Sequence, residues 1–529
     1  MQITGWALST LGSLLATSAM AAPPARQAAT PMVARCAAMK GFKLAGIKIT
    51  ATFHVKEGTA PTGSSAPLAT RLPAYCQAEG VINERSGFQG KPYGIRFALA
   101  LPDDWRGRFL LQGGGGLNGS VKPPFGAAAA GNRPALARGF AVASHDSGHV
   151  GAVFDGAFMA DQRANLNFSE ASVRVVAEAA KRMTAGYYRK AIAHSYMAGC
   201  STGGRESMLA SQRYPELFDG IVVGAPAMRT GNSNLGTFWA GVQFNQAAPR
   251  DPQGLPVVDR IFSAGDRKLF LDGLLGQCDA LDGLKDRVIS NVSACKFKPA
   301  LLQCKGEKTE TCFSPAQVKA IEAAYQPPKD ASGRALYAPF PYDTGNIADG
   351  PGIPGFFPTG RPGIFGPPNR DLAMDVDARI EAIRANAGQR LTDTDIWTNL
   401  NAFTGHGGKI LFYHGVSDPW FSAWDTLDYW LRAKQANGPI WADTSRFYMV
   451  PGMGHCSGGA NTYDNFDLLG AVVDWVETGK APEAVIATRS LSTPGPTPGK
   501  RPLCPWPSYP AYVGGDEKSA ASFQCRNGV

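Results

Sequence analysis

Short apolar runs alternate with longer segments of helical period along much of this chain. Phe109-Leu110-Leu111-Gln112, Phe140-Ala141-Val142-Ala143-Ser144, Ser195-Tyr196-Met197-Ala198 and Gly220-Ile221-Val222-Val223-Gly224-Ala225 each read as a buried strand. Between them, Val173, Val176, Ala177 and Ala180 form one stripe of a helix over 171–187, and a second helix is expected over 206–214. Earlier, 47–101 reads as a set of short strands, Tyr93 to Leu101 among them. This strand–helix–strand alternation predicts a parallel α/β sheet.

The alternation stops after Ala225. Residues 226–405 have a different composition, with a Gly/Pro-rich tract from Pro339 to Pro368. Strand patterns return at Lys409 to His414 and at Arg446 to Val450, followed by a helix over 468–477. The expected organisation is a catalytic α/β domain formed by 22–225 and 406–529, interrupted by a lid domain at 226–405. A separate binding domain is the alternative for the insertion. The first 21 residues read as an export signal: an apolar stretch from Trp6 to Leu15 leads to Ala19-Met20-Ala21. That run is too short and too rich in Ser, Thr and Gly for a membrane anchor, and no later segment suits a span.

Export changes how the cysteines read. The chain has 529 residues and 10 Cys, and an even number in an exported protein suggests a disulfide framework. Local spacing suggests Cys278–Cys295, Cys304–Cys312 and Cys504–Cys525, with Cys36–Cys76 and Cys200–Cys456 completing the set. No C-x-x-C or H-x-x-x-H cluster supports zinc. The formal charge of +9 is spread without the dense Lys/Arg runs of a nucleic-acid surface, so it reads as a solubility feature. A secreted or periplasmic protein with no nucleic-acid partner is expected.

Gly199-Cys200-Ser201-Thr202-Gly203 is a G-x-S-x-G elbow, with a strand pattern before it and a helix pattern after it. His455 lies in Gly452-Met453-Gly454-His455-Cys456, a Gly-rich loop after a strand. If Cys200 and Cys456 pair, the two Cα atoms lie about 4.4–6.8 Å apart and Ser201 becomes a neighbour of His455. Ser201 is then the candidate nucleophile and His455 the base. The acid belongs between them in sequence, and Asp418 follows the strand at 409–414, with Asp425 as its competitor. His414 and His149 are rival bases, the former better suited to a supporting role and the latter able to line the site. The expected oxyanion donors are the N–H of Thr202 and one from the Gly run at 113–116, assigned to Gly114. Apart from these, Asp279, Asp282 and Asp286 put three carboxylates within eight residues. With the carbonyls of Leu284 and Val288 they could hold Ca²⁺ or form a solvated acidic turn.

Taken together, Gly199-Cys200-Ser201, Asp418 and His455-Cys456 resemble the tannase/feruloyl esterase family of α/β-hydrolases. The resemblance spans most of the mature chain and is most specific at 199–206, 278–286 and 451–458. It looks closest to the bacterial branch that includes terephthalate monoester hydrolases. It implies an α/β-hydrolase fold with a large inserted lid, a Cys200–Cys456 disulfide beside the triad, and a structural calcium held by Asp279, Asp282, Leu284, Asp286 and Val288. It implies a serine carboxylesterase acting on a small aromatic ester. The tract at 339–370 lacks a clear match to the substrate segment of terephthalate-cleaving members, so esters of gallate or a hydroxycinnamate are expected, with a terephthalate monoester as the alternative. Phe356, Phe357, Phe365 and Trp397 are candidates to stack on the acyl ring, and Arg361 or Arg370 to meet a carboxylate or phenolate. A serine peptidase and a non-catalytic binding protein are the rivals from other classes.

Overall fold

The apolar runs assemble into one nine-stranded sheet. A computed structural model describes residues 31–60, 70–348, 355–358, 368–459, 461–490 and 499–528. The export segment 1–21, Arg361 and Phe365 lie outside the described residues. The sheet strands are β1 (Ile47–Val55), β2 (Tyr75–Ser86), β3 (Pro92–Pro102), β4 (Arg108–Gln112), β5 (Phe140–His145), β6 (His194–Ser201), β7 (Gly220–Pro226), β8 (Lys409–Gly415) and β9 (Ser445–Val450). Their spatial order is β1-β2-β3-β5-β4-β6-β7-β8-β9. From β5 to β9 every neighbour is parallel. β1, β2 and β3 join antiparallel at the other edge. They run 9, 12 and 11 residues, longer than the expected short strands.

Alternate residues of the parallel strands feed two cores, because successive side chains leave a strand on opposite faces. Phe109, Leu111, Met197, Ile221 and Val223 pack with the helices Ser172–Tyr188 and Ala423–Asn437. Leu110, Tyr196, Ala198 and Val222 pack with the helix Leu468–Thr478 on the opposite face. Both faces are covered, which is why these strands read as continuous apolar runs. The molecule has the α/β-hydrolase fold.

Among the described residues, 227–405 add no strand to the sheet. They carry a core of their own, built largely from aromatic rings, including Phe244, Phe262, Phe270, Phe313 and Tyr325. Phe356 and Phe357 belong to that core and are buried there, with ring centroids 6.1 and 5.5 Å from Phe244. The expectation that they stack on substrate is corrected: their rings are already occupied by one another's neighbours.

All ten cysteines are paired, as Cys36–Cys76, Cys200–Cys456, Cys278–Cys295, Cys304–Cys312 and Cys504–Cys525. Complete pairing fits an oxidising compartment. Among the described residues no helix is long and apolar enough to cross a membrane.

Candidate active site

β6 ends at Ser201, and the helix Thr202–Arg213 begins at the next residue. That is four residues earlier than the expected start at Glu206. The abrupt turn holds Ser201 at φ 64°, ψ −123°, a conformation that costs an L-residue about 1–3 kcal/mol. Glycines make the turn possible despite their poor helix propensity. A Cβ on Gly199 would lie 2.5 Å from the Gly203 carbonyl carbon, and one on Gly204 would lie 2.2 Å from the Gly224 oxygen.

Gly415 at the end of β8 pairs with Val450 at the end of β9. Their following loops therefore leave the same end of the sheet as the elbow, the carboxyl end where such sheets build sites. The loop after β8 carries Asp418 and the loop after β9 carries His455. His455 Nδ1 lies 2.6 Å from Asp418 Oδ2. Asp418 Oδ1 accepts the N–H groups of Trp420 at 2.9 Å and Phe421 at 3.1 Å. Burial acts to raise the Asp418 carboxyl, but His455 and His414 outweigh it and hold the group well below the usual carboxylate range. His455 Nε2 is buried and makes no hydrogen bond. The Cys200–Cys456 disulfide, with Cα atoms 6.1 Å apart, ties the elbow to the histidine loop. Ser201 and His455 line one cavity of about 890 Å³.

The rival residues are engaged elsewhere. Asp425 is buried and paired with Arg229. His149 is buried and stacked on Phe158 at 3.6 Å, and burial lowers its pKa to about 4. It packs in the fold and does not line the cavity. His414 supports the acid: its Nε2 lies 3.3 Å from Asp418 Oδ2, and its Nδ1 lies 2.9 Å from Thr426 Oγ1.

The oxyanion side needs a correction. Thr202 is the first helical residue, so its N–H has no partner within the helix. The N–H of Gly114, however, is donated to Glu206 Oε2 at 2.8 Å. A buried carboxylate already occupies this donor, so Gly114 is not the second oxyanion donor. The Gly113 N–H is donated to the Ala198 carbonyl at 3.0 Å, and the Gly115 N–H to Asn118 Oδ1 at 2.8 Å.

A carboxylate from the insertion also reaches the site, with no signal in sequence. Asp343 Oδ2 accepts the Ser417 hydroxyl at 2.7 Å and the Gly452 N–H at 2.6 Å, joining the loops that carry Asp418 and His455. Burial pushes Asp343 up to about 6, against these hydrogen bonds. A folded value above the unfolded one, about 3.9, means the fold favours the protonated form. Its stabilising contribution is complete below that unfolded value and is lost as pH rises through about 6. Asp343→Asn stays neutral and keeps one acceptor oxygen. Between about pH 4 and pH 7 it should lose less stability than the wild type. Urea midpoints measured across that range check this, and equal losses in the two proteins would contradict it.

The acidic turn lies on a 3₁₀ segment, Asp279–Asp282, closed by Gly283 at φ 95°. Asp279 and Asp282 are buried. Burial, with Asp286 as the next raising influence, lifts the carboxyls of both, and Asp282 reaches about 6. Asp282 Oδ1 accepts the Leu284 N–H at 3.0 Å, and Asp286 Oδ1 accepts the Val288 N–H at 3.1 Å. Asp286 Oδ2 pairs with Arg501 at 2.6 Å. Among the described residues no three acidic or His side chains form a ready-made metal cluster. The donors are hard oxygens and two of the carboxylates are buried, so their chemistry fits a hard cation.

The cavity is walled by Phe154, Trp420, Tyr413, Phe466, Val153 and the alanines at 127–130. Trp420 meets Phe154 edge-to-face at 6.1 Å and lies 4.7 Å from the His455 ring. Among the described residues, none from 226–405 lines it. Trp397 is exposed, with its Nε1 donated to the Asn399 carbonyl at 3.0 Å, and the guanidinium of Arg370 lies 3.9 Å from Asp251. Neither lines the cavity beside Ser201, where Trp397 was expected to stack on the acyl ring and Arg370 to meet a carboxylate or phenolate. Trp420, two residues after Asp418, was readable from its place in the loop; Phe154 carried no comparable signal.

This fold, with a serine at the elbow and, in the same cavity, a histidine held by a buried aspartate, defines a serine-type α/β-hydrolase. The family model described as tannase and feruloyl esterase matches residues 76–354 and 368–526. The chain belongs to the tannase and feruloyl esterase family, a family of carboxylic ester hydrolases. It is 37% identical to a mono(2-hydroxyethyl) terephthalate hydrolase of Piscinibacter sakaiensis, over 86% of this chain and 85% of that protein. It is 31% identical to a probable feruloyl esterase of Arthroderma benhamiae, over 81% of each chain. A feruloyl esterase B structure from Aspergillus oryzae shares the fold, with TM-score 0.74 and 24% identity, covering 94% of this chain and all of that one.

Proposed function

We propose that this protein hydrolyses esters of aromatic acids through an acyl-enzyme on Ser201. The contact that carries the reading is His455 Nδ1 to Asp418 Oδ2 at 2.6 Å, with His455 lining one cavity together with Ser201. Asp418 keeps the Nδ1–H of His455 in place, which leaves Nε2 as the base for the Ser201 hydroxyl. Ser201 Oγ attacks the ester carbonyl, and His455 returns the proton to the departing alcohol. Water, deprotonated by the same nitrogen, then releases the acid and restores Ser201. The paired rings of Phe154 and Trp420 supply flat apolar walls for a planar acyl group.

Gallate or hydroxycinnamate esters are the primary reading. A terephthalate monoester is favoured by one observation: Lys122 lines the cavity and has no acidic partner among the described residues, so it could receive a distal carboxylate. A panel of methyl gallate, methyl ferulate, mono(2-hydroxyethyl) terephthalate and a peptide substrate tests both. The phenolic esters should show the highest kcat/KM. A higher value for the terephthalate monoester would favour the second reading, and peptide cleavage without esterolysis would reject both. The Trp6–Ala21 segment and complete cysteine pairing support export.

Calcium is part of the proposal. Asp279, Asp282 and Asp286, with the carbonyls of Leu284 and Val288, would hold it, and its role there would be to offset buried like charges. Dialysis against a chelator should lower the melting temperature, and added Ca²⁺ should restore it. Asp282→Ala should remove that response. A melting curve indifferent to chelation would leave the turn without a metal role.

A further inference from the structure

Glu206 is a buried carboxylate that the ester chemistry above does not use. It is 1% exposed, one turn into the helix that starts after Ser201. Its Oε2 accepts the Gly114 N–H at 2.8 Å. Its Oε1 accepts Asn118 Nδ2 at 3.1 Å and the Ser147 hydroxyl at 3.3 Å. Asn118 in turn accepts the Gly115 N–H at 2.8 Å. Thr202 Oγ1 donates to the Gly116 carbonyl. With the Gly113 N–H donated to the Ala198 carbonyl, the N–H groups of Gly113, Gly114 and Gly115 are all committed, and among the described residues only that of Gly116 within this run has no acceptor. Gly116 and Ser201 line the same cavity.

Four consecutive glycines are the most conformationally free backbone a chain can offer. An oxyanion hole tolerates little freedom, since its donors must lie about 2.7–3.1 Å from the oxygen's position in the transition state. Something outside the loop must therefore fix its peptide planes. A carboxylate that only accepts, buried where water cannot compete, is suited to that task.

We propose that Glu206 is a positioning residue for ester hydrolysis: it fixes the Gly114 peptide directly and the Gly115 peptide through Asn118, so that the Gly116 N–H joins the Thr202 N–H at the oxyanion. This rests on Ser201 being the nucleophile.

Glu206→Gln tests it. The amide keeps the volume but replaces one acceptor oxygen with a donor, so it cannot receive both Gly114 and Asn118. Expected is a kcat loss of about 10–100-fold, smaller than the roughly 10²–10³-fold of deleting an oxyanion donor outright, because the donor is misplaced and not removed. KM and inhibition by the product acid should stay near wild type, whatever the fall in melting temperature from the buried donor. A fluorophosphonate should still label Ser201 stoichiometrically, at a rate reduced in parallel with kcat. Asn118→Ala frees only the Gly115 peptide and should show a smaller loss with the same signature, which decides the matter if Glu206→Gln does not fold. Wild-type kcat in either folded variant would overturn the proposal, as would a kcat loss matched by a fall in the labelled fraction. A wild-type protein that never labels at Ser201 would instead overturn the nucleophile assignment on which it rests.

Discussion

Ser201→Ala should abolish esterase turnover while leaving the fold unchanged. Loss of a triad serine typically lowers kcat by about 10⁶-fold. The backbone should tolerate the change, because Ser and Ala bear the same strain at φ 64°. The Ser201 carbonyl, which accepts the Ala227 N–H at 3.1 Å, is untouched. Asp418→Asn should lower kcat by about 10⁴-fold for a different reason. Asp418 Oδ1 accepts two backbone N–H groups, so the Asn oxygen will take that position and turn its NH₂ toward His455 Nδ1. The imidazole must then carry its proton on Nε2, where it cannot accept the proton of Ser201. Kinetics with circular dichroism on both variants check these outcomes; near-normal turnover in Asp418→Asn would mean that another carboxylate orients the base.

Replacing Cys200 and Cys456 together by Ala should cost more activity than fold. The bond spans 256 residues of sequence, and a loop of that order contributes about 5 kcal/mol in the chain-entropy picture. In the folded protein the sheet already brings the two loops to one edge, as the Cys200–Gly224, Gly224–Tyr413 and Gly415–Val450 pairings show. The variant should therefore fold, with a lower melting temperature. Its kcat should fall by at least about 100-fold, because displacements near 1 Å at the reacting atoms carry that penalty. The effect should be confined to kcat and absent from far-ultraviolet circular dichroism. Full turnover in the double variant would show that the sheet alone sets the Ser201–His455 geometry.

The parallel core was legible because its strands are buried on both faces and therefore run apolar without interruption, as at 109–111 and 221–223. Ser201, Asp418 and His455 were legible as a trio because each lies at or just after the end of a strand and only seven histidines exist. The helix after the elbow began earlier than its apolar pattern, since Gly203 and Gly204 pack closely against Gly114 and Gly224, which propensity does not register. Glu206 and Asp343 were invisible as site residues. A polar residue within a helix pattern reads as solvated surface, and the partners of Asp343 at Ser417 and Gly452 are 74 and 109 positions away. The aromatic residues of the Gly/Pro tract misled for the converse reason: a Phe fits a core and a substrate wall equally well, and Phe356 and Phe357 fill the core.

During turnover Ser201 should carry the acyl group. Mixing the enzyme with methyl ferulate or methyl gallate, quenching in acid within the first turnover and mapping peptides by mass spectrometry tests it most directly. A mass gain equal to the acyl group is expected on the peptide that contains Ser201, linked through Cys200 to the peptide of Cys456, and should disappear in Ser201→Ala. Hydrolysis that proceeds with no acyl adduct, or with the adduct on another residue, would contradict it.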